Sequence, residues 1–192
     1  MAQDNLYDLV SVKRSGRITV GIEIRPDESI LVRAPYSMSD KKIREFVGKH
    51  KIWIEKHLEK VKKANAAAEE SGKLTAEELR ALAEKAAEVI PQRVSYYAPR
   101  VGVSYGKITI RMQKTIWGSC TAKGNLSFNC LIMLAPPEVI DSVVVHELCH
   151  IKQMNHSPKF YDEVLRVFPK YYECRKWLRD NGSVILKRNT EI

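Results

Sequence analysis

The sequence has 192 residues, 44% of them hydrophobic, which is enough to bury the core of one compact domain. Its 32 basic and 23 acidic residues give a net charge of +9, which favours anionic partners without choosing among nucleic acids, nucleotides and acidic membrane surfaces. No run approaches the roughly 18 consecutive apolar residues of a membrane-spanning helix, and residues 1–16 lack the pattern of a secretory signal, so we expect a cytoplasmic protein.

The first part of the chain, residues 1–38, has the pattern of strands and turns. Apolar and polar residues alternate over 18–24 and again over 30–34, the period of two that is typical of a half-buried strand. Between them, the Pro-Asp-Glu-Ser segment at 26–29 is typical of a turn. We therefore predict a β-hairpin with a four-residue connection.

A basic helix is predicted next. Ser39 is a suitable N-cap, and apolar residues then recur at helical spacing from Ile43 to Val61. Residues 41–63 contain nine Lys or Arg and three Glu. A solvated face is the simpler interpretation of these charges, and contact with an anionic partner is the other. His57, on this helix, has no partner at metal-binding spacing and is predicted to be a surface or packing residue.

A second helix is predicted after a connection of small and polar residues at 65–73. Thr75 and Glu78 have the spacing of a capping box, which places the beginning of this helix. The helical pattern continues to about Tyr97, and Gly102 follows it. Residues 39–100 are thus a helical segment.

The remaining residues, 101–192, contain strands followed by helices. Strand-like runs cover 107–112, 115–120 and 125–134, and a strongly apolar helix begins at Pro136-Pro137. Two further helices are predicted after Pro158 and Pro169, with a short, mixed tail from Gly182. The four cysteines lack CxxC spacing and are expected to be free thiols. They are Cys120, Cys130, Cys149 and Cys174.

The HELCH segment is the most informative motif. Residues four apart lie on one face of a helix, so His146 and His150 can offer imidazole nitrogens to one metal ion. Glu147 is adjacent to the first ligand and can accept a proton from water that the metal activates, as a general base. Zinc is the metal that such a set suits best, although nickel, copper and cobalt bind the same donors.

His156 is the third candidate ligand. It follows His150 by six residues, between Asn155 and Pro158, which indicate that the helix has ended and that the chain can turn back to the metal. Three protein ligands and an open position for water are typical of a catalytic zinc site. The alternative is three ordinary histidines, but three of the five histidines in the chain lie within eleven residues.

With these motifs, the chain resembles the YgjP-like metallopeptidase family, a branch of the zincins. The likeness covers nearly the whole length, and Trp-Gly-Ser-Cys followed by HExxH and a third His is its specific feature. Ile116 and Tyr161 depart from the usual pattern of the family. The residues that carry the resemblance are Val32, Pro35, Trp53, Ile54, Arg111, Trp117, Gly118, Ser119, Cys120, Gly124, Asn129, Leu131, the HELCH motif, Asn155, His156, Ser157 and Phe160.

The resemblance implies a single α+β domain over residues 1–192, with a zincin-like core at 101–192. In that core, a small mixed sheet packs on the HExxH helix, and an edge strand, either 125–130 or 115–120, can pair with an extended peptide. The residues proposed for substrate contact are Arg111, Trp117, Ser119 and Asn129. A structural pairing of Arg111 and a cleft-wall position of Trp117 are the alternatives.

Three activities remain open at this point. The metalloprotease-like hydrolysis of peptide bonds is the first, and members of the family have also been linked to a nucleoside triphosphate pyrophosphatase activity on UTP. A DNA-associated, SprT-like protease is the third, although the sequence has no nucleic-acid recognition motif. A zinc site with a purely structural role would not need Glu147.

Overall fold

The computed structural model describes residues 9–189, and the chain divides into two compact units, Met1–Glu70 and Ser71–Ile192. Residues 1–8 and 190–192 of the predicted single domain lie outside the described residues. The predicted helical segment, 39–100, contains helices of both units. The fold is α+β, as predicted: each unit combines a small mixed sheet with helices.

The first unit has a three-stranded sheet, β1 (Val10–Ser15), β2 (Gly21–Ile24) and β3 (Ile30–Pro35). The predicted hairpin is confirmed, because β2 and β3 pair antiparallel. Strand β1, which was not predicted from the sequence, pairs parallel with β3 and makes β3 the central strand. The side chains of Ile30, Val32 and Ala34 on β3 are fully buried and form the centre of a small core.

The predicted basic helix consists of two helices, α1 (Asp40–Lys49) and α2 (Lys51–Glu70). Ser39 caps α1 as predicted, since its hydroxyl accepts a hydrogen bond from the Lys42 amide. The helix is interrupted at His50, two residues after Gly48, whose low helix propensity weakens the turn. The prediction of a connection at 65–73 was wrong for residues 65–70, because the Ala and Glu residues there are strong helix formers and extend α2.

In the second unit, helix α3 (Ala76–Val101) begins with the predicted capping box, in which Thr75 and Glu78 exchange hydrogen bonds with each other's backbone. It continues four residues beyond the predicted end and stops at Gly102, whose φ of 79° is the left-handed conformation of a helix C-cap. This helix packs on the helix that contains the HExxH motif and contributes one wall of the core.

The sheet of the second unit contains β4 (Ile108–Arg111), β5 (Gly118–Cys120) and β6 (Leu126–Asn129). Strand β6 is central, parallel to β4 and antiparallel to β5. The predicted strand at 125–134 ends at Asn129, because its side-chain oxygen accepts a hydrogen bond from the Leu131 amide and begins a 3₁₀ helix, Cys130–Leu134. The strand predicted at 115–120 is limited to 118–120.

Three helices complete the unit: α4 (Pro137–His150), α5 (Pro158–Val167) and α6 (Tyr171–Lys187). Each follows a proline, as predicted. The mixed tail predicted from Gly182 was wrong, because Gly182 lies inside α6, where the ring of Trp117 packs against its backbone. Helix α4 contacts β5 on one side and α5 and α6 on others, so the mixed sheet lies beside the HExxH helix, as expected of a zincin-like core.

The four cysteines are free thiols, as predicted. None of the helices between residues 9 and 189 combines the length and the hydropathy that a membrane span requires.

Candidate metal centre and active-site cleft

The HExxH motif occupies the last turn and a half of α4. This helix is apolar around most of its circumference, and Val144, Val145 and Leu148 are fully buried, so its position is fixed by packing. The spacing of four residues puts His146 and His150 on one face. Glu147 points to a neighbouring face and has only 5% of its surface exposed. The motif is therefore presented on a rigid, buried element.

The structure brings the three predicted ligands together. The Nε2 atom of His146 lies 3.2 Å from Nε2 of His150 and 3.1 Å from Nε2 of His156. All three ligand atoms lie within 4.8 Å of one another. Two nitrogens bound to one tetrahedral zinc at ~2.0–2.1 Å are separated by about 3.3 Å, so the observed spacing suits a single ion.

The Nδ1 atoms of His146 and His150 are held by the protein. Nδ1 of His150 donates to the carbonyl of Gln153 at 3.0 Å, which leaves the lone pair on Nε2. Nδ1 of His146 lies 2.8 Å from the hydroxyl of Tyr171, which accepts a hydrogen bond when Nε2 is free to bind a metal. Such outer partners fix the tautomer and the orientation of metal-binding imidazoles.

Phe160 packs against the imidazole rings of all three histidines. Its side chain is fully buried, and its ring centre lies 4.9 Å from that of His146, 4.5 Å from that of His150 and 4.9 Å from that of His156. Helix α5 carries Phe160 four residues after His156, and the helix begins at Pro158. The loop that follows α4 is thereby tied to a packed aromatic ring, and His156 is held against the other two histidines.

The electrostatic environment favours the neutral forms of His146 and His150. Burial, together with the neighbouring His150, His156 and Arg175, lowers the pKa of His146 to about 3. Burial likewise lowers the pKa of His150. The facing Nε2 atoms of His146 and His150 then carry lone pairs with no proton between them, an arrangement that a bound cation stabilises. The donor set of this site therefore fits a divalent metal.

Glu147 lies against the edge strand β5. A Cβ atom added to Gly118 would lie 2.7 Å from both Cγ and Oε1 of Glu147, closer than any ordinary contact. The absence of a side chain at Gly118 is thus what allows the carboxylate to reach its position. Burial raises the pKa of Glu147 to about 8, and a nearby cation opposes such a rise by favouring the carboxylate.

A cleft of about 280 Å³ opens beside His146 and Glu147. It lies between the segment that leads into β5 and helices α4 and α6. Trp117, predicted as a substrate contact or a cleft-wall residue, forms part of its wall and rests on Gly182 of α6, where an added Cβ would be 3.0 Å from the indole. The lining residues are Thr115, Ile116, Trp117, Gly118, Ser142, Val143, His146, Glu147, Tyr171, Arg175 and Leu178.

The other three residues proposed for substrate contact do not line this cleft. Arg111 is exposed at the end of β4, and Ser119 is half-buried on β5, where it pairs with Ser127. Asn129 is fully buried, and its amide nitrogen donates to the carbonyls of Gln113 and Ile116 at 2.8 and 3.0 Å. Asn129 therefore holds the backbone that carries Trp117 into the cleft.

The two candidates for the peptide-pairing edge strand are distinguished by the sheet order. Strand β6, from the 125–130 segment, is paired on both sides and has no free edge. Strand β5, from the 115–120 segment, pairs with β6 alone within the sheet, and it lies beside α4. Of the two segments, 115–120 is the one that can accept a further strand.

Three residues at the site were not assigned a role from sequence. Phe160 lies at helical spacing from His156, which is a weak signal. Tyr171 and Arg175 are 25 and 29 residues from His146, and they reach the cleft only because α6 packs on α4. No local pattern connects them to the HExxH motif, so tertiary structure was needed to find them.

A family model matches most of the chain, and two solved structures are similar to about half of it. The model of the family described as YgjP-like, metallopeptidase domain, matches residues 18–82 and 70–181. The metallopeptidase zymogen of Pyrococcus abyssi abylysin is similar in structure, with a TM-score of 0.45 and 22% identity over 49% of this chain and 96% of its own. The zymogen of Methanocaldococcus jannaschii jannalysin gives a TM-score of 0.44 and 22% identity, over 50% and 98%. Among curated proteins, none matches this chain.

Proposed function

Because the chain belongs to the YgjP-like metallopeptidase family, and is thus a metal-dependent hydrolase, we propose that it is a zinc-dependent peptidase with Glu147 as its general base. The observation that carries the proposal is the convergence of three imidazole Nε2 atoms beside a buried carboxylate at the edge of a cleft. A purely structural zinc site is closed by four protein ligands and has no use for a buried glutamate.

His146, His150 and His156 would hold the metal. Three neutral imidazoles suit zinc, and they leave a coordination position for water or substrate. Nickel, copper and cobalt bind the same donors, so the identity of the metal is part of the proposal. The hydroxyl of Tyr171 and the carbonyl of Gln153 orient two of these ligands, and Phe160 supports the rings.

Zinc bound here supplies a Lewis acid, which polarises the scissile carbonyl and lowers the pKa of water towards ~7. Glu147 accepts a proton from the attacking water while the water oxygen forms a bond to the carbonyl carbon. The same carboxyl group then returns the proton to the amide nitrogen as the C–N bond breaks. Gly118 has no side chain and so leaves room for the Glu147 carboxylate against β5 during both transfers.

The substrate would bind as an extended segment along β5. Its backbone would pair with the free edge of that strand, an arrangement in which main-chain hydrogen bonds give affinity and side pockets give selectivity. Trp117, which directly precedes β5, forms part of the wall of the side pocket. Arg111 and Ser119 stay predictions as substrate contacts.

Hydrolysis of a nucleoside triphosphate such as UTP is the second candidate. A metal centre of this kind can act on phosphorus as well as on carbon, and the observation in its favour is the guanidinium of Arg175 among the lining residues. One arginine balances only a small part of the negative charge of a triphosphate, so we rank this activity second. A DNA-associated protease would need contacts from the basic helices α1 and α2, and it stays a prediction.

The test of the proposed function is cleavage of a mixed peptide library by zinc-loaded protein, read by mass spectrometry. Glu147→Gln is the inactive variant, and Glu138→Gln is the matched control, because Glu138 is on the same helix but exposed at its first turn. We expect cleavage by the wild type and by Glu138→Gln, and none by Glu147→Gln. Equal cleavage by both variants would remove Glu147 from the mechanism.

A further inference from the structure

We propose that Arg175 is the anion-recognition residue of the cleft, so that preferred substrates place a free carboxylate beside an apolar side chain. This inference rests on the proposed function, since it assigns a substrate class to the same cleft.

The pocket itself is apolar. Ile116 comes from the segment before β5, Val143 from α4 one turn before His146, and Leu178 from α6. Trp117 lies against Gly182, so the indole connects the β5 side of the pocket to α6. A volume of about 280 Å³ between these walls is adequate for one large aliphatic or aromatic side chain. Burial of such a side chain would be favourable at this position.

Arg175 adds a charge to this apolar cleft. It lies on α6 one turn after Tyr171, whose hydroxyl contacts His146. Its guanidinium carbon is 5.6 Å from the ring centre of Tyr161, and that ring is itself stacked 6.2 Å from the ring of His156. The guanidinium therefore lies beside Tyr161, and Arg175 lines the same pocket as His146. A stack on an aromatic face leaves the N–H groups of an arginine free to donate.

Among residues 9–189, no carboxylate forms an ion pair with Arg175. Three of the cations near it are paired, one on α5, one at the N-cap of α6 and one on α6. Of the described residues that line the cleft, Arg175 is the one arginine or lysine. The pairs of the neighbouring cations are Arg166 with Glu163, Lys170 with Glu138 and Arg179 with Asp180.

An unpaired guanidinium next to an apolar pocket recognises an anion attached to an apolar group. Carboxylates and phosphates both accept two parallel hydrogen bonds from arginine. A peptide that ends one residue beyond the scissile bond presents this combination, with a side chain in the pocket and a terminal carboxylate beside it. A triphosphate has several charges, for which the cleft offers a single fixed cation. The carboxylate of a peptide is therefore the better match.

The binding of ligands to an inactive variant tests the role of Arg175 without turnover. Zinc-loaded Glu147→Gln protein is titrated by calorimetry with N-acetyl-glycyl-phenylalanine, with its C-terminal amide, and with inorganic triphosphate. We expect the free acid to bind about tenfold or more tightly than the amide. Adding Arg175→Met should reduce this ratio to near one, and Arg175→Lys should keep part of it. Arg179→Met, on the same helix and exposed, should leave the ratio unchanged.

The ratio of acid to amide separates recognition from structure, because a general defect of the cleft weakens both ligands alike. If inorganic triphosphate binds and loses affinity in Arg175→Met while the two peptides do not differ, the anion is a phosphate and the peptide carboxylate is refuted. If Arg175→Met binds every probe as its parent does, or if neither anion binds the parent, Arg175 has no such role.

Failure of this inference and failure of the proposed function give different results. Cleavage of internal peptide bonds that requires Glu147 but does not respond to Arg175→Met would leave the peptidase intact and refute the inference alone. An acid-selective binding site that depends on Arg175, in a protein that cleaves no peptide, would support the inference and refute the proposed peptidase activity.

Discussion

Replacement of Gly118 by alanine should disable the general base without removing the metal ligands. An added Cβ would lie 2.7 Å from Cγ and Oε1 of Glu147 and 2.9 Å from Cδ. An ordinary contact begins at about 3.4 Å, so the carboxyl group must withdraw by about 0.7 Å or β5 must move away from α4. A displacement of about 1 Å of a catalytic group can cost on the order of 100-fold in rate, and we expect a loss of kcat of about that size.

The assay for Gly118→Ala combines peptide turnover with zinc content. We expect the zinc content to stay near that of the wild type, because the added methyl contacts Glu147 and not a histidine. Gly16→Ala is the matched control, since a Cβ added to Gly16 meets nothing within 4 Å. If Gly118→Ala has a kcat within twofold of the wild type, contact with β5 does not position Glu147, and the reasoning fails.

Three further predictions concern the metal ligands and the wall of the cleft. Tyr171→Phe removes the hydroxyl beside Nδ1 of His146 and should weaken zinc binding about 10- to 100-fold in a competition titration with a chelating dye, with Tyr172→Phe as the neutral control. His156→Ala should lose most of its zinc, whereas His57→Ala should keep it, and near-stoichiometric zinc in His156→Ala would remove the third ligand. Asn129→Ala breaks three buried hydrogen bonds and should lower the free energy of unfolding in urea by about 3 kcal/mol. Asn181→Ala, at an exposed site, should change that free energy by about 0.5 kcal/mol or less, and an equally small effect of Asn129→Ala would contradict its structural role.

Features with a local cause could be predicted from the sequence. The beginning of α3 follows from the capping box of Thr75 and Glu78, and the β2–β3 hairpin follows from alternation on both sides of a turn. The spacing of His146 and His150 on an apolar helix places two rings on one face, whatever surrounds them. These features depend on residues a few positions apart, so the pattern in the sequence was sufficient.

Features that depend on distant residues could not be predicted in the same way. Strand β1 is largely exposed, and its parallel partner β3 is 20 residues away, so its pattern alone is weak. The shortening of the strand predicted at 115–120 depends on the amide of Asn129, which bonds the carbonyls of Gln113 and Ile116. Propensity was misjudged at residues 65–70, where alanines continue α2 and do not form a connection.

The residues that surround the metal ligands also come together only through tertiary structure. Tyr171 and Arg175 enter the cleft through the packing of α6 on α4, and Gly182 lies inside α6 with the indole of Trp117 packed against it. A glycine in this position is equally consistent, in sequence, with the end of a helix. The motif therefore predicts the ligands, while the residues that orient them and shape the pocket are found from the fold.

The most direct test of the central claim is the zinc content and peptide turnover of Glu147→Gln, measured on the same preparation as the wild type. If the three histidines bind the metal and Glu147 transfers the proton, we expect one zinc per chain in both proteins and turnover in the wild type alone. Turnover by Glu147→Gln comparable to that of the wild type, or loss of zinc together with turnover, would contradict these roles.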